Sequence, residues 1–121
     1  MIGDPLNLRT EDGVVIAMLR GEIDLSNAKM IAGEIGSAVP NDAAGVVLDL
    51  TEVTYLDSSG VHLVFDLNER LNGRQQQLVL SLPEGSRVGR VLELVNVEAV
   101  VPIEQTIAAA VEHVRAQPSS S

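Results

Sequence analysis

Cysteine is absent from the 121 residues. That excludes disulfides, a thiolate nucleophile and Cys-ligated zinc, and it fits a reducing compartment. Tryptophan is absent too, and Phe and Tyr occur once each, so a core has to come from Val, Leu, Ile and Ala. Hydrophobic residues make up 45% of the chain, enough at this length to bury a core without metal or disulfide support. Positive charge is scarce: 8 Lys and Arg stand against 17 Asp and Glu, a formal net charge of −9. Such a field repels nucleic-acid phosphates and anionic headgroups, so direct contact with nucleic acid or a membrane surface is not expected. No run of like charges forms an interaction tail.

Long apolar runs are missing as well. Nothing reaches the ~18 consecutive apolar residues of a membrane-spanning helix. The opening Met1-Ile2-Gly3-Asp4-Pro5 has no basic segment leading into an apolar one. A soluble, cytoplasmic protein is the expectation. The glycines form neither G-x-x-x-x-G-K-[ST] nor G-x-G-x-x-G, so no nucleotide cofactor is indicated. His62 and His113 lie in different predicted helices without a second ligand at i+4 spacing, and no metal or other cofactor is expected.

What is present is a regular alternation of short apolar runs with helical spacings. Leu6-Asn7-Leu8 reads as a first strand ending at the turn Glu11-Asp12-Gly13. Val14 to Leu19 is a run rich in β-branched residues, read as a buried strand. After Gly21-Glu22-Ile23-Asp24, the residues Ala28, Ile31, Ile35 and Val39 share one helix face, with Asp24 or Ser26 as the expected N-cap and Pro40-Asn41 as the stop. Val46 to Leu50 and Gln77 to Leu80 are further strands, joined through a helix beginning near Ser58 in a right-handed βαβ unit. A helix carrying Val88, Val91, Leu92 and Val95, a short strand near Val100-Val101 and a last helix from Ile103 to Val114 complete the reading. The implied architecture is α/β: one domain over residues 1–116, with a mixed, mostly parallel sheet of about four or five strands and about four helices. Residues 117–121, Gln-Pro-Ser-Ser-Ser, are expected to be a frayed tail.

The helix starting at Ser58 carries most of the functional information. At about 100° per residue, Gly60, Leu63, Val64, Leu67 and Leu71 share one arc, the width of a core-facing stripe. Ser58, Ser59, His62, Asp66 and Glu69 fall on the other side, placing both serines toward solvent at the helix start. Val61 and Phe65 flank that polar side, apart from the core stripe, as edges on which a partner can dock. A helix N-terminus tolerates a phosphate, because its free N–H groups and partial positive charge favour an anion. Phosphate on a first-turn serine adds about −1.5 to −2 charges to a face already holding Asp57, Asp66 and Glu69. Docking is then disturbed while the fold is spared. The plainer reading of Asp57-Ser58-Ser59-Gly60 is capping chemistry, with Asp57 or Ser58 as N-cap; the two roles are compatible, since different residues can fill them.

The stretch Val46-Val47-Leu48-Asp49-Leu50-Thr51-Glu52-Val53-Thr54-Tyr55-Leu56-Asp57-Ser58-Ser59-Gly60 resembles the central signature of the STAS domain of bacterial anti-sigma factor antagonists. Gly21-Glu22-Ile23-Asp24 resembles that family's earlier motif. Leu92-Glu93-Leu94-Val95-Asn96-Val97 followed by Val101-Pro102-Ile103 resembles its last helix–strand junction. The likeness runs from about Leu6 to Val114 in order and spacing. It implies a phosphoacceptor directly before the glycine, Ser59, with Ser58 as the alternative one position away. It further implies an anti-sigma factor that is itself an ATP-using serine kinase, bound by the unmodified chain and released on phosphorylation. A PP2C-type phosphatase reverses the modification, and the signal belongs to a stress response. Asp24 matches an aspartate of the family's partner surface. Asp24, Asp57, Ser58, Ser59, Val61, His62 and Phe65 are thus the expected partner-binding residues, in a monomer or weak dimer.

Asp57, Ser58 and His62 nominally supply an acid, a nucleophile and a base. Neighbouring helical positions cannot align them as a triad, however, and no G-x-S-x-G elbow occurs, so no catalytic residue is assigned. The remaining alternative is a STAS-type scaffold or accessory subunit, in a lipid-transport or stress-signalling complex, that binds partners without a kinase cycle.

Overall fold

A computed structural model describes residues 4–116; the expected tail at 117–121 lies outside the described residues. The chain opens with a hairpin, β1 (Leu6–Glu11) and β2 (Val14–Ile23), paired antiparallel. Both turn residues have positive φ, 54° at Asp12 and 78° at Gly13. Asp-Gly is a pair suited to the primed turn whose twist matches that of the flanking strands. α1 (Ala28–Ala38), β3 (Gly45–Leu56), α2 (Ser58–Gly73), β4 (Gln77–Ser81), α3 (Arg87–Leu94), β5 (Ile103–Glu104) and α4 (Ile107–Ala116) follow. The sheet order is β1-β2-β3-β4-β5, with every pairing after the hairpin parallel. The expected mixed, mostly parallel five-strand sheet with four helices is what the structure has.

Side-chain alternation divides the core into two layers. Val15, Ala17 and Leu19 of β2, Val46, Leu48 and Leu50 of β3, and Leu78 and Leu80 of β4 join the buried faces of α1, α2 and α3. The intervening Val14, Ile16, Val47 and Val79 pack instead against Ala110, Val111 and Val114 of α4. The central strands are buried on both faces, which is why they read as continuous apolar runs.

Several boundaries differ from expectation. Val100-Val101 is not a strand: a 3₁₀ turn over Val97–Ala99 precedes it, Val101 N–H donates to Val97 O at 2.8 Å, and the fifth strand is Ile103–Glu104. The last helix therefore starts at Ile107, not Ile103, and Thr106 Oγ1 accepts from Ala109 N–H at 3.0 Å across its first turn. The N-cap of α1 is Asn27, not Asp24 or Ser26. Asp24 contributes through its backbone, its carbonyl accepting from Asn27 N–H (3.1 Å) and Ala28 N–H (2.9 Å).

Candidate functional site

β2 and β3 are parallel and end together, Ile23 opposite Leu56. The residues that follow, Asp24 and Asp57, therefore leave the sheet at one rim, although they stand 33 positions apart in the chain (57 − 24). Before this rim the β2–β3 register shifts twice, between Met18 and Arg20 and between Gly21 and Glu22, each time with one extra residue in β3; Gly21 has a φ of 77°, which suits a residue without Cβ. Asp57 caps α2: Oδ1 accepts from Ser59 N–H at 2.8 Å and Gly60 N–H at 3.2 Å. Its own N–H donates to Ile23 O at 3.4 Å, tying the helix start to the end of β2.

Gly60 is demanded by crowding. A Cβ built there would run into Leu56 Cδ1 and lie 2.8 Å from Leu56 Cγ and 3.2 Å from Ile23 O. The first turn of α2 thus sits directly on the ends of β2 and β3, and Ser58 and Ser59 are carried to the rim. Ser58 is exposed and Ser59 partly exposed, and neither hydroxyl is hydrogen-bonded among the described residues. No hydrogen bond joins Ser58 to His62 there either, so the nominal triad has no assembled geometry. Gly60, Leu63, Val64, Leu67 and Leu71 are all buried, as the helical spacing predicts.

The serines line one wall of a groove of about 500 Å³ between α1 and α2. Ser58, Ser59, His62 and Asp66 come from α2, facing Leu25, Ala28 and Lys29 at the start of α1. Leu25 is 82% exposed, an apolar side chain offered to water beside the polar rim. Sequence reasoning missed Leu25 and Lys29; the signal available was a lone leucine next to Asp24 in a turn. At the far end of the groove, Arg74 beyond α2 donates to Val39 O (2.7 Å) and Gly36 O (3.2 Å) of α1. That clamp holds the two walls at a set spacing.

Asp24 is fixed within its own turn. Its Oδ1 accepts from Ser26 Oγ at 2.6 Å and Ser26 N–H at 2.9 Å. The Ser26 hydroxyl first, and its N–H second, hold the Asp24 carboxyl below the usual carboxylate range. Asn27 braces the same turn, accepting from Asp24 N–H at 3.0 Å and donating to Glu22 O at 2.9 Å.

Two of the expected docking residues behave otherwise than their helical angle suggests. Val61 and Phe65 do not stand clear of the core: both are partly buried and pack against its main cluster. The reason is tertiary, since the sheet and its connections wrap further round α2 than an isolated helical wheel allows. Phe65 borders a second groove on the other side of His62, and Val61 lines neither. His62 and His113 lie on helices packed on opposite faces of the sheet, and His113 pairs with Glu104 at 2.7 Å. Among the described residues no three His, Asp or Glu side chains cluster as metal ligands, and no helix is long and apolar enough to cross a membrane.

Known proteins resemble this chain along most of its length. Residues 5–110 match the STAS domain family. Bordetella bronchiseptica BtrV, whose name places it provisionally among anti-sigma factor antagonists, is 35% identical over 69 residues. That stretch covers 57% of this chain and 60% of BtrV, less than two thirds of the relative's length. The anti-sigma-F factor antagonist RsfB of Mycobacterium tuberculosis is 27% identical over 104 residues, 86% of this chain and 84% of RsfB. In structure, the unphosphorylated form of the Bacillus anti-sigma factor antagonist SpoIIAA superposes with a TM-score of 0.70 at 22% identity, covering 93% of this chain and 99% of SpoIIAA. Its phosphorylated form gives 0.67, also at 22% identity, over 91% and 99%. The fold is shared.

Proposed function

Since this chain belongs to the STAS domain family, we propose that it is an anti-sigma factor antagonist of the cytoplasm, without catalysis of its own, switched by phosphorylation of Ser59. In its unmodified form it binds an anti-sigma factor that is also a serine kinase, and so frees a sigma factor. Transfer of phosphate from ATP to Ser59 ends that binding, and a PP2C-type phosphatase restores it. The names of BtrV and RsfB support the partner class, and SpoIIAA is an instance of this fold in a phosphorylated form.

The observation that carries the reading is the open groove wall formed by Ser58 and Ser59 on the first turn of a helix already capped by Asp57. Capping is complete without either hydroxyl, so Ser59 is free to be modified. Added phosphate faces Lys29 across the groove, a cation that tolerates it, while the Ser59 and Gly60 N–H groups remain with Asp57. An acidic or apolar partner surface seated in the same groove would be expelled by charge repulsion and desolvation. Asp24, Asp57, Ser58, Ser59 and His62, with the exposed Leu25 beside them, form the docking surface, and Phe65 borders it from the second groove.

Incubation with a cognate kinase anti-sigma factor and ATP tests the proposal. One added phosphate, located on Ser59 by mass spectrometry, together with loss of the complex on size exclusion, is the expected result. An unchanged mass with persistent binding would favour a scaffold or accessory STAS subunit instead. Phosphate on Ser58 alone would move the acceptor by one residue.

A further inference from the structure

Lys29 stands where local electrostatics disfavour a cation. It is the second residue of α1, whose first turn holds no acidic side chain and whose N-cap, Asn27, makes no side-chain bond to the helix. An ammonium there opposes the positive end of the helix dipole and costs stability instead of adding to it. The side chain is exposed and has no ion-pair partner among the described residues, in a chain with 17 Asp and Glu against 8 Lys and Arg. Asp66 lines the same groove but is met by Arg70 at 3.4 Å. Lys29 is the only Lys or Arg lining that groove, and the opposite wall carries Ser58, Ser59 and His62. Local conflicts of this kind are retained mainly at functional sites.

We infer that Lys29 is the counter-ion of phosphorylated Ser59: its ammonium binds the phosphate across the groove, ties α1 to α2, and so makes the modified chain close its own docking site. The backbone of α2 does not serve the phosphate. Its Ser59 and Gly60 N–H groups remain with Asp57 Oδ1, and the Val61 N–H donates to Asp57 O at 3.0 Å. Asp57 and Asp66 repel the new charge. Two side chains of the groove are left to meet it, Lys29 from α1 and His62, three residues on from Ser59 in α2. An ammonium on a flexible stem has three donors for the three phosphate oxygens. The phosphate also offsets the positive end of α1, which no acidic residue does now. A partner entering the groove then has to break an ion pair as well as bear the phosphate's repulsion. This role for Lys29 rests on reading Ser59 as the phosphoacceptor, and adds to it a fixed contact within the chain.

The test installs phosphoserine at position 59 of the whole chain during translation, so that no kinase is needed, and follows its ³¹P signal through a pH titration. An ammonium beside the phosphate favours the dianion and lowers its second pKa, about 6 in the free residue. Lys29→Gln should therefore make the phosphate hold its last proton about two- to fivefold more tightly, the range of one exposed ion pair. Lys29→Arg should restore the parent titration. Thermal unfolding adds a readout of opposite sign: Lys29→Gln should leave Tm unchanged or raised in the unmodified chain and lower it in the phosphorylated one. An unmoved titration in Lys29→Gln, a shift seen only in His62→Gln, or the same Tm change with and without phosphate would overturn the bridge. Modification of Ser59 by a kinase anti-sigma factor with an unmoved titration sinks the bridge alone. A titration that depends on Lys29, in a chain the kinase leaves unmodified, sinks the switch alone.

Discussion

Replacing Gly60 by alanine would separate a glycine required by packing from one that is merely present in a helix. In an open helical position Gly→Ala stabilises by about 0.5–1 kcal/mol, because the unfolded glycine has more freedom to lose. Gly33 in α1 is such a position, with nothing within 4 Å of a Cβ built there. At Gly60 the added methyl overlaps the Leu56 side chain, lies 2.8 Å from Leu56 Cγ and presses on Ile23 O at 3.2 Å. Leu56 is 5% exposed and cannot swing into solvent. Overpacking of a closed core costs about 1–3 kcal/mol. Set against the helix-propensity gain, the net effect is a destabilisation of up to about 2.5 kcal/mol. In a chain of this size that corresponds to a fall in Tm of up to about 10 °C. Urea unfolding followed by circular dichroism, run on Gly60→Ala and Gly33→Ala side by side, gives the answer. Opposite signs are expected. A Gly60→Ala protein stabilised as much as Gly33→Ala would refute the claim that α2 is pressed onto the rim of the sheet.

The other expectations concern the same rim and the core beneath it. Asp57→Ala removes acceptors from two first-turn N–H groups and should lower stability by about 0.5–2 kcal/mol in chemical denaturation. Ser59→Asp should unfold within about 0.5 kcal/mol of the parent protein yet bind its anti-sigma factor roughly ten- to a hundredfold more weakly by calorimetry; an unfolded variant would contradict a switch that acts on docking alone. Leu67→Ala, at a side chain with no exposure, should cost about 2–5 kcal/mol as a core truncation, read from the same denaturation curves. Ser26→Ala takes away the hydrogen bond that chiefly lowers the Asp24 pKa, so a ¹³C-detected NMR titration should show that pKa rising toward the ordinary carboxylate value. An unmoved Asp24 would mean that the hydroxyl is not what stabilises its charged form.

Much of the molecule could be read along the chain, because local physics decided it. Short apolar runs located the strands, read as Val14–Leu19, Val46–Leu50 and Gln77–Leu80 and observed over Val14–Ile23, Gly45–Leu56 and Gln77–Ser81, and the 3.6-residue period located the buried stripe of α2. Capping chemistry placed the start of α2 at Asp57-Ser58, since Asp57 satisfies its N–H groups from within the same few residues. Where long-range contacts decided, local signals were ambiguous. Val100-Val101 has strand-forming side chains, but a strand needs a neighbour, and β4 offers its open edge only to Ile103 and Glu104. Asp24, Ser26 and Asn27 can each cap a helix. Asn27 stands at the cap position without a side-chain bond to the helix, its amide tied instead to Asp24 N–H and Glu22 O in the preceding turn. Val61 and Phe65 looked free on a helical wheel, which contains no neighbouring layer to cover them. The groove itself belongs to tertiary structure, since its walls come from α1 and α2 and meet only when β2 and β3 run parallel and end in step. The sequence determined which residues stand at the helix start; the register of two strands determined what faces them.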